Sequence, residues 1–190
     1  GIDPRRDIIS TYILDEILRA KPVKRAEEEV RSLVKGRRTV VVGAGPYVLR
    51  DLERAQENGL LDSSIILAAD GASLAFQSFT GHAPHIIVTD LDGFPEEEVK
   101  MVNRGSIPIV HAHGDNMDKV VSFVPKMVWA LGTTQAFDTQ LVKNYGGFTD
   151  GDRACYIACA FNAAEIYLLG MDFSSIIGEY SNLSKFAGRI

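Results

Sequence analysis

The feature that most constrains this chain is a rhythm. Short β-branched runs alternate with helix-like stretches over most of its length. Runs at 39–42, 65–68, 85–89, 107–111, 127–131 and 165–169 read as strands, and 47–58, 117–124, 137–145 and 152–161 read as helices between them. Six apolar strands interleaved with helices predict an α/β fold with an open, mostly parallel, doubly wound sheet. The first 36 residues stand outside this rhythm. Ile9, Ile13, Ile17 and Leu18, with Ile8 and Leu14 alongside, recur at helical spacing, and Ala26, Val30, Leu33 and Val34 form a second stripe that Gly36 ends. The expected organisation is a helical extension over 1–36 and an α/β domain over 37–190. The stripes of the extension demand burial, on the sheet, against a substrate or in a homodimer contact.

Charge narrows the function classes. With a net charge of −5 and only the short 35–38 cluster of Lys and Arg, the chain offers no basic stripe for nucleic acid. No apolar stretch is long enough to cross a bilayer, no signal-peptide pattern opens the chain, and Cys155 and Cys159 sit four apart in a helical stretch as small packing residues. A cytoplasmic protein without membrane partners is expected. An acidic protein that handles phosphates needs a metal cation to do so.

The polar residues gather where strands end. Gly43-Ala44-Gly45-Pro46 follows the first strand, Asp70-Gly71 the second, Asp90-Leu91-Asp92-Gly93 the third and His113-Gly114-Asp115 the fourth. Gly132-Thr133-Thr134-Gln135 and Gly170-Met171-Asp172 follow the last two. In a parallel sheet these ends share one edge, where open α/β proteins bind ligands. Ordinary turn chemistry accounts for the glycines but not for the repeated aspartates. Asp90, Asp92 and Asp115 are candidate Mg2+ ligands, since converging carboxylates repel unless a cation or proton lies between them. Asp70 serves a metal or a substrate equally well. The Gly43–Pro46 turn precedes a helix and offers close approach to an anion, but Val48 stands where a dinucleotide fingerprint needs its third glycine. Thr149 and Asp152 have capping-box spacing, and Asp150 and Asp152 read either as caps or as ligand contacts. Arg153, in a helical first turn, disfavours the helix dipole and so suits a carboxylate or phosphate partner. His111 and His113 lack the third ligand that zinc requires.

Two resemblances follow from these strings. Residues 88–93 imitate the aspartyl-nucleophile motif of haloacid-dehalogenase-type phosphatases, but about twenty residues between the acidic motifs leave no room for that family's intervening Ser/Thr strand and Lys. The ordered strings VGAGP (42–46), AADGA (68–72), VTDLDG (88–93), HAHGDN (111–116), GTTQ (132–135), GFTDGDRA (147–154) and LLGMDF (168–173) resemble the archaeal-type 6-hydroxymethyl-7,8-dihydropterin pyrophosphokinases. The chain is more distantly similar to thiamin pyrophosphokinase. The resemblance implies Mg2+-dependent transfer of diphosphate from ATP to a reduced pterin, with release of AMP, in tetrahydromethanopterin or folate-like biosynthesis. Carried onto this chain, Asp90, Asp92 and Asp115 would hold Mg2+. Gly43, Gly45, Pro46, Asp70, Gly71, Thr133, Thr134, Gln135, Asp150, Asp152, Arg153 and Asp172 would line the nucleotide and pterin sites. Lys119 is a candidate phosphate contact, and His113 or an Asp a candidate for deprotonating the hydroxyl. The alternatives are a thiamin-type pyrophosphokinase, a phosphatase and a nucleotide-binding module without turnover.

Overall fold

The β-branched runs pair side by side into one sheet. The computed structural model describes residues 4–172 and 178–181. In chain order its elements are α1 (Pro4–Leu18), α2 (Val23–Val34), β1 (Arg38–Val42), α3 (Val48–Glu57), β2 (Ile65–Ala69), α4 (Ala72–Thr80) and β3 (Ile86–Thr89). They continue with α5 (Pro95–Asn103), β4 (Ile107–Ala112), α6 (Met117–Phe123), β5 (Leu131–Thr134), β6 (Val142–Lys143), α7 (Asp150–Ala160) and β7 (Glu165–Leu169). The strands lie in the order β6-β5-β4-β3-β2-β1-β7, and every pairing is parallel. No described helix is long and apolar enough to cross a membrane.

Crossover handedness decides the layers. From β1 to β5 the chain steps repeatedly in one direction, so right-handed crossovers put α3 to α6 on one face; the return from β6 to β7 puts α7 on the other. Strand side chains alternate accordingly. Val40, Val42, Ile66 and Ala68 pack with Leu52, Ala55, Ala72 and Phe76 of α3 and α4. Val41, Ile65 and Leu67 belong instead to the larger cluster that holds Ile157 of α7 and Val30 of α2. The direction of winding reverses between β1 and β7, which makes that junction the switch point of the sheet.

α1 covers the β4–β6 end of the first face beside α6, with Leu14 and Leu18 seated against Gly132, and α2 lies across the sheet edge, its Arg31 over the Phe161 ring at the end of α7. Burying each of these leucines contributes about 2 kcal/mol. The buried stripe of α2 is as expected, but that of α1 is rotated: Asp7, Thr11, Leu14, Asp15 and Leu18 face inward, while Ile9 is 52% exposed. Asp7, Thr11 and Asp15 face inward because each of them has a partner. The Thr11 hydroxyl pairs with that of Thr134 at 2.7 Å, and Asp15 accepts a hydrogen bond from the Leu141 amide at 2.9 Å.

Two segments differ from the sequence expectation. The stretch 137–145, expected as a helix, holds the seventh strand, β6. Thr139 accepts from the Val142 amide and Asp138 from the Asn144 amide, so side chains take amides that a helix would use. The strand expected at 127–131 begins at Leu131, where pairing with Ile109 becomes available. Thr133 and Thr134 are therefore buried strand residues and not a crevice loop.

Candidate active site at the C-terminal edge of the sheet

Three carboxylates meet where β2, β3 and α7 converge. Asp70 follows β2, Asp90 follows β3, and Asp150 opens α7; one oxygen from each lies within 4.8 Å of the others. Local hydrogen bonds fix them. Asp70 Oδ1 accepts from the Gly93 amide at 3.0 Å and the Thr89 hydroxyl at 3.1 Å. Gly93 must lack a side chain, because a Cβ there would sit 2.6 Å from that same oxygen. The Asp90 amide donates to Asp150 Oδ2 at 3.2 Å, and Asp90 Oδ1 accepts from the Asp92 amide at 2.9 Å. Leu91 between them is buried with φ +65°, an uncommon conformation for a non-glycine residue. Beneath, the buried Asn116 amide donates to Asp90 O and His111 O, both at 2.7 Å, and its oxygen accepts from the His113 amide at 3.0 Å. One side chain thus ties the tips of β3 and β4 together.

The cluster is electrostatically frustrated. Burial, then the charge of Asp90, pushes Asp70 up to about 6. Burial, followed by Asp90 and Asp70, raises Asp150 well above the carboxylate range. Glu98, buried below with Oε2 3.0 Å from the Thr89 hydroxyl, is likewise raised, by burial first and then by Asp70. Only Asp90 titrates low: burial opposes its charge, but the interaction with His113 and the hydrogen bond from the Asp92 amide outweigh that. Two ionised carboxylates at this separation repel by about 3 to 4 kcal/mol at an effective dielectric of 20. A divalent cation bound by hard oxygen ligands relieves that repulsion, and carboxylate oxygens suit a hard cation such as Mg2+ in donor type.

Arg153 supplies one fixed positive charge. It is buried, donates to Asp150 Oδ1 at 3.0 Å and to Gly147 O at 3.3 Å, and lies 3.2 Å from His111 Nε2. Burial and then the guanidinium push His111 down to about 3, so its ring is neutral and accepts from Arg153. A ring facing a guanidinium is a poor cation ligand. The unfavourable dipole position of Arg153 is thus offset by a carboxylate one turn earlier. Gly147, at φ +87°, lets the chain pass: a Cβ there would lie 2.5 Å from Arg153 Cα. Thr149 and Asp152 form the expected capping box of α7, and Asp152 accepts from the amides of Phe148 and Thr149.

Beside the carboxylates, at the β1/β7 switch point, opens a cavity of about 670 Å³. Gly43, Gly45, Pro46, Asp70, Gly71, Asp150, Asp152 and Asp172 all line it. The Gly43 and Gly45 amides do not face an anion, however. They donate to Leu169 O and Gly170 O, both at 2.8 Å, and a Cβ on Gly45 would meet Gly170 O at 2.4 Å. These glycines serve the close approach of β1 to β7.

The remaining residues divide. Asp92 and Asp115, expected to join Asp90 around a metal, are exposed and pair with Lys119 at 2.6 Å and Arg6 at 3.2 Å. Among the described residues the group able to hold a metal is Asp70, Asp90 and Asp150. His113 flanks it, with Nε2 3.6 Å from Asp90 Oδ2, and the interaction with Asp90 raises its pKa. Gln135 lies one strand further, donating to Asp7 Oδ2 at 2.8 Å. Sequence reasoning missed Glu98, Asn116 and Asp7. Glu98 reads as one of three first-turn glutamates of α5, and nothing local marks it as the inward one. Asp7 shares helical spacing with Thr11 and Asp15, a polar stripe overlooked beside the isoleucines.

Residues 14–178 match the family model described as 6-hydroxymethylpterin diphosphokinase MptE-like. A protein of Methanocaldococcus jannaschii named 6-hydroxymethyl-7,8-dihydropterin pyrophosphokinase is 37% identical over 95% of this chain and 77% of its own length. Proteins of the same name from Pyrococcus furiosus and Methanothermobacter thermautotrophicus are 39% and 37% identical over 95% of this chain and 75% of their own lengths. With most of its length matched by both the family model and these relatives, the chain belongs to the MptE-like family of 6-hydroxymethylpterin diphosphokinases.

Proposed function

We propose that this protein transfers a diphosphate group from ATP to the hydroxymethyl group of 6-hydroxymethyl-7,8-dihydropterin and releases AMP. The observation that carries the reading is the meeting of Asp70, Asp90 and Asp150 beside the switch-point cavity. The relatives' names support the pterin as acceptor. The nucleotide occupies the cavity formed by the tips of β1, β2 and β7 and the first turn of α7, with its phosphates toward the three carboxylates. Asp70, Asp90 and Asp150 would hold Mg2+, which when bound neutralises phosphate oxygens and favours attack at phosphorus.

The chain's own residues position and exchange protons. Arg153 keeps Asp150 turned toward the cluster, and Asn116 keeps Asp90 there. The pterin hydroxyl oxygen bonds to the β-phosphorus as the bond from that phosphorus to the α–β bridging oxygen breaks, so AMP leaves with the electron pair. His113, held by Asp90, takes the hydroxyl proton, and the neighbouring Asp90 carboxylate strengthens its hold on that proton. Lys119 and Arg6, paired with Asp92 and Asp115 at the rim, are cations that the polyphosphate engages as it enters. Such a reaction draws on the ATP of the cytoplasm.

The test is an assay of purified protein with ATP, MgCl2 and the reduced hydroxymethylpterin. AMP should appear in step with the diphosphorylated pterin. ADP as sole nucleotide product, or no nucleotide turnover with Mg2+ present, would overturn the reading. Preference for thiamin over the pterin would transfer it to the thiamin-type enzymes.

A further inference from the structure

A second cavity, of about 480 Å³, opens at the other end of the same edge, beyond the tip of β5. Asp7 and Ile8 of α1 form one wall, and Gln135 and Phe137 the other. We propose that this cavity is the pterin subsite, with the pyrimidinone edge of the ring against Asp7 and Gln135 and its face against Phe137. The inference rests on the pyrophosphokinase reading and assigns its second substrate to a place.

Three observations carry it. The first is chemical. A pterin presents adjacent N–H donors on its pyrimidinone edge, which a buried carboxylate with spare lone pairs receives well. Asp7 is only 6% exposed; Oδ1 accepts from the Gly114 amide at 2.7 Å and Oδ2 from Gln135 at 2.8 Å, and each oxygen keeps a further acceptor position. The second is apolar. Phe137 and Tyr12, 48% and 55% exposed, meet edge to face with ring centroids 6.0 Å apart. An exposed aromatic pair beside a polar-edged cavity suits the face of a flat heterocycle.

The third is the order of the strands. The larger cavity belongs to the tips of β7, β1 and β2, the carboxylates to β2 and β3, and the second cavity to the end of β5. Neighbouring strands lie about 4.8 Å apart, so the tip of β5 stands about 10 Å from that of β3. Between them the turn after β4 carries His113, against Asp90, and Gly114, bonded to Asp7. A donor entering from the β1/β7 side and an acceptor from the β5 side thus converge on the carboxylates from opposite directions. In-line transfer needs that arrangement.

Phe137→Ala and Tyr12→Ala remove exposed rings, so both variants should melt as the wild type does. Oxidised 6-hydroxymethylpterin, which is fluorescent, is titrated into wild type and variants in parallel with Mg2+ and a non-hydrolysable ATP analogue. The proposal expects pterin binding to weaken about tenfold or more in Phe137→Ala while nucleotide binding stays within twofold. Unchanged pterin affinity in both variants overturns the subsite and leaves the proposed function standing if AMP is still formed. Weakened nucleotide binding instead would assign the cavity to adenine and also overturns it. A wild type that neither binds pterin nor forms AMP refutes the functional reading, and the subsite with it.

Discussion

Replacing Asp70 by Asn tests the electrostatic account of the site at its most exacting point. The change keeps the shape and the Oδ1 acceptor that Gly93 and Thr89 use, and removes only the charge. In the folded protein Asp70 rises from the ordinary 3.8 to about 6, through burial first and the charge of Asp90 second. At about 1.4 kcal/mol per tenfold in the proton equilibrium, the ionised carboxyl costs the metal-free fold about 3 kcal/mol at pH 7. Solvent at the half-buried rim screens part of this, so that figure is a ceiling. For a chain of this length it corresponds to a rise in Tm of up to about 6 to 12 °C for Asp70→Asn in EDTA. The sign follows from linkage. The folded carboxyl binds its proton more tightly than the unfolded one, so the penalty is complete above about pH 6 and fades toward pH 3.8. The advantage of the variant should therefore shrink between pH 7 and pH 4.5. In Mg2+ the order should reverse, because the wild type gains binding free energy that the variant lacks. Thermal melts at both pH values, with EDTA and with Mg2+, decide the matter. A variant less stable than the wild type in EDTA at pH 7, or an advantage equal at both pH values, would refute the reasoning.

Asp90→Asn should lower AMP formation by at least about a hundredfold while leaving fluorescent pterin binding intact, as removal of one charge-stabilising group does elsewhere. Asn116→Ala removes a buried side chain that makes three hydrogen bonds; a loss of about 3 kcal/mol, read by urea unfolding, is expected together with weakened Mg2+ binding. Thr149→Ala deletes the cap of α7 and should cost about 1 kcal/mol by the same measurement.

The sequence by itself determined the class of fold and the edge that carries the site. Period and composition are local properties, so β-branched runs separated by helical stretches sufficed for a parallel sheet, and polar tips after its strands sufficed for the rim. Asp90 and the capping box of α7 were legible for the same reason, since each is defined by neighbours in the chain. Tertiary structure decided which carboxylates meet. Asp70, Asp90 and Asp150 come from segments up to 80 residues apart, brought together by strand order and by the handedness that carries α7 back across the sheet. Asp92 and Asp115 carry the same chemistry but find Lys119 and Arg6 first. Periodicity misjudged α1 because it counts apolar residues alone, whereas Asp7, Thr11 and Asp15 can face inward once the sheet supplies hydrogen-bond partners. Those partners lie more than a hundred residues away. Burial of a polar group depends on what the rest of the chain brings to it, and only the folded molecule holds that information.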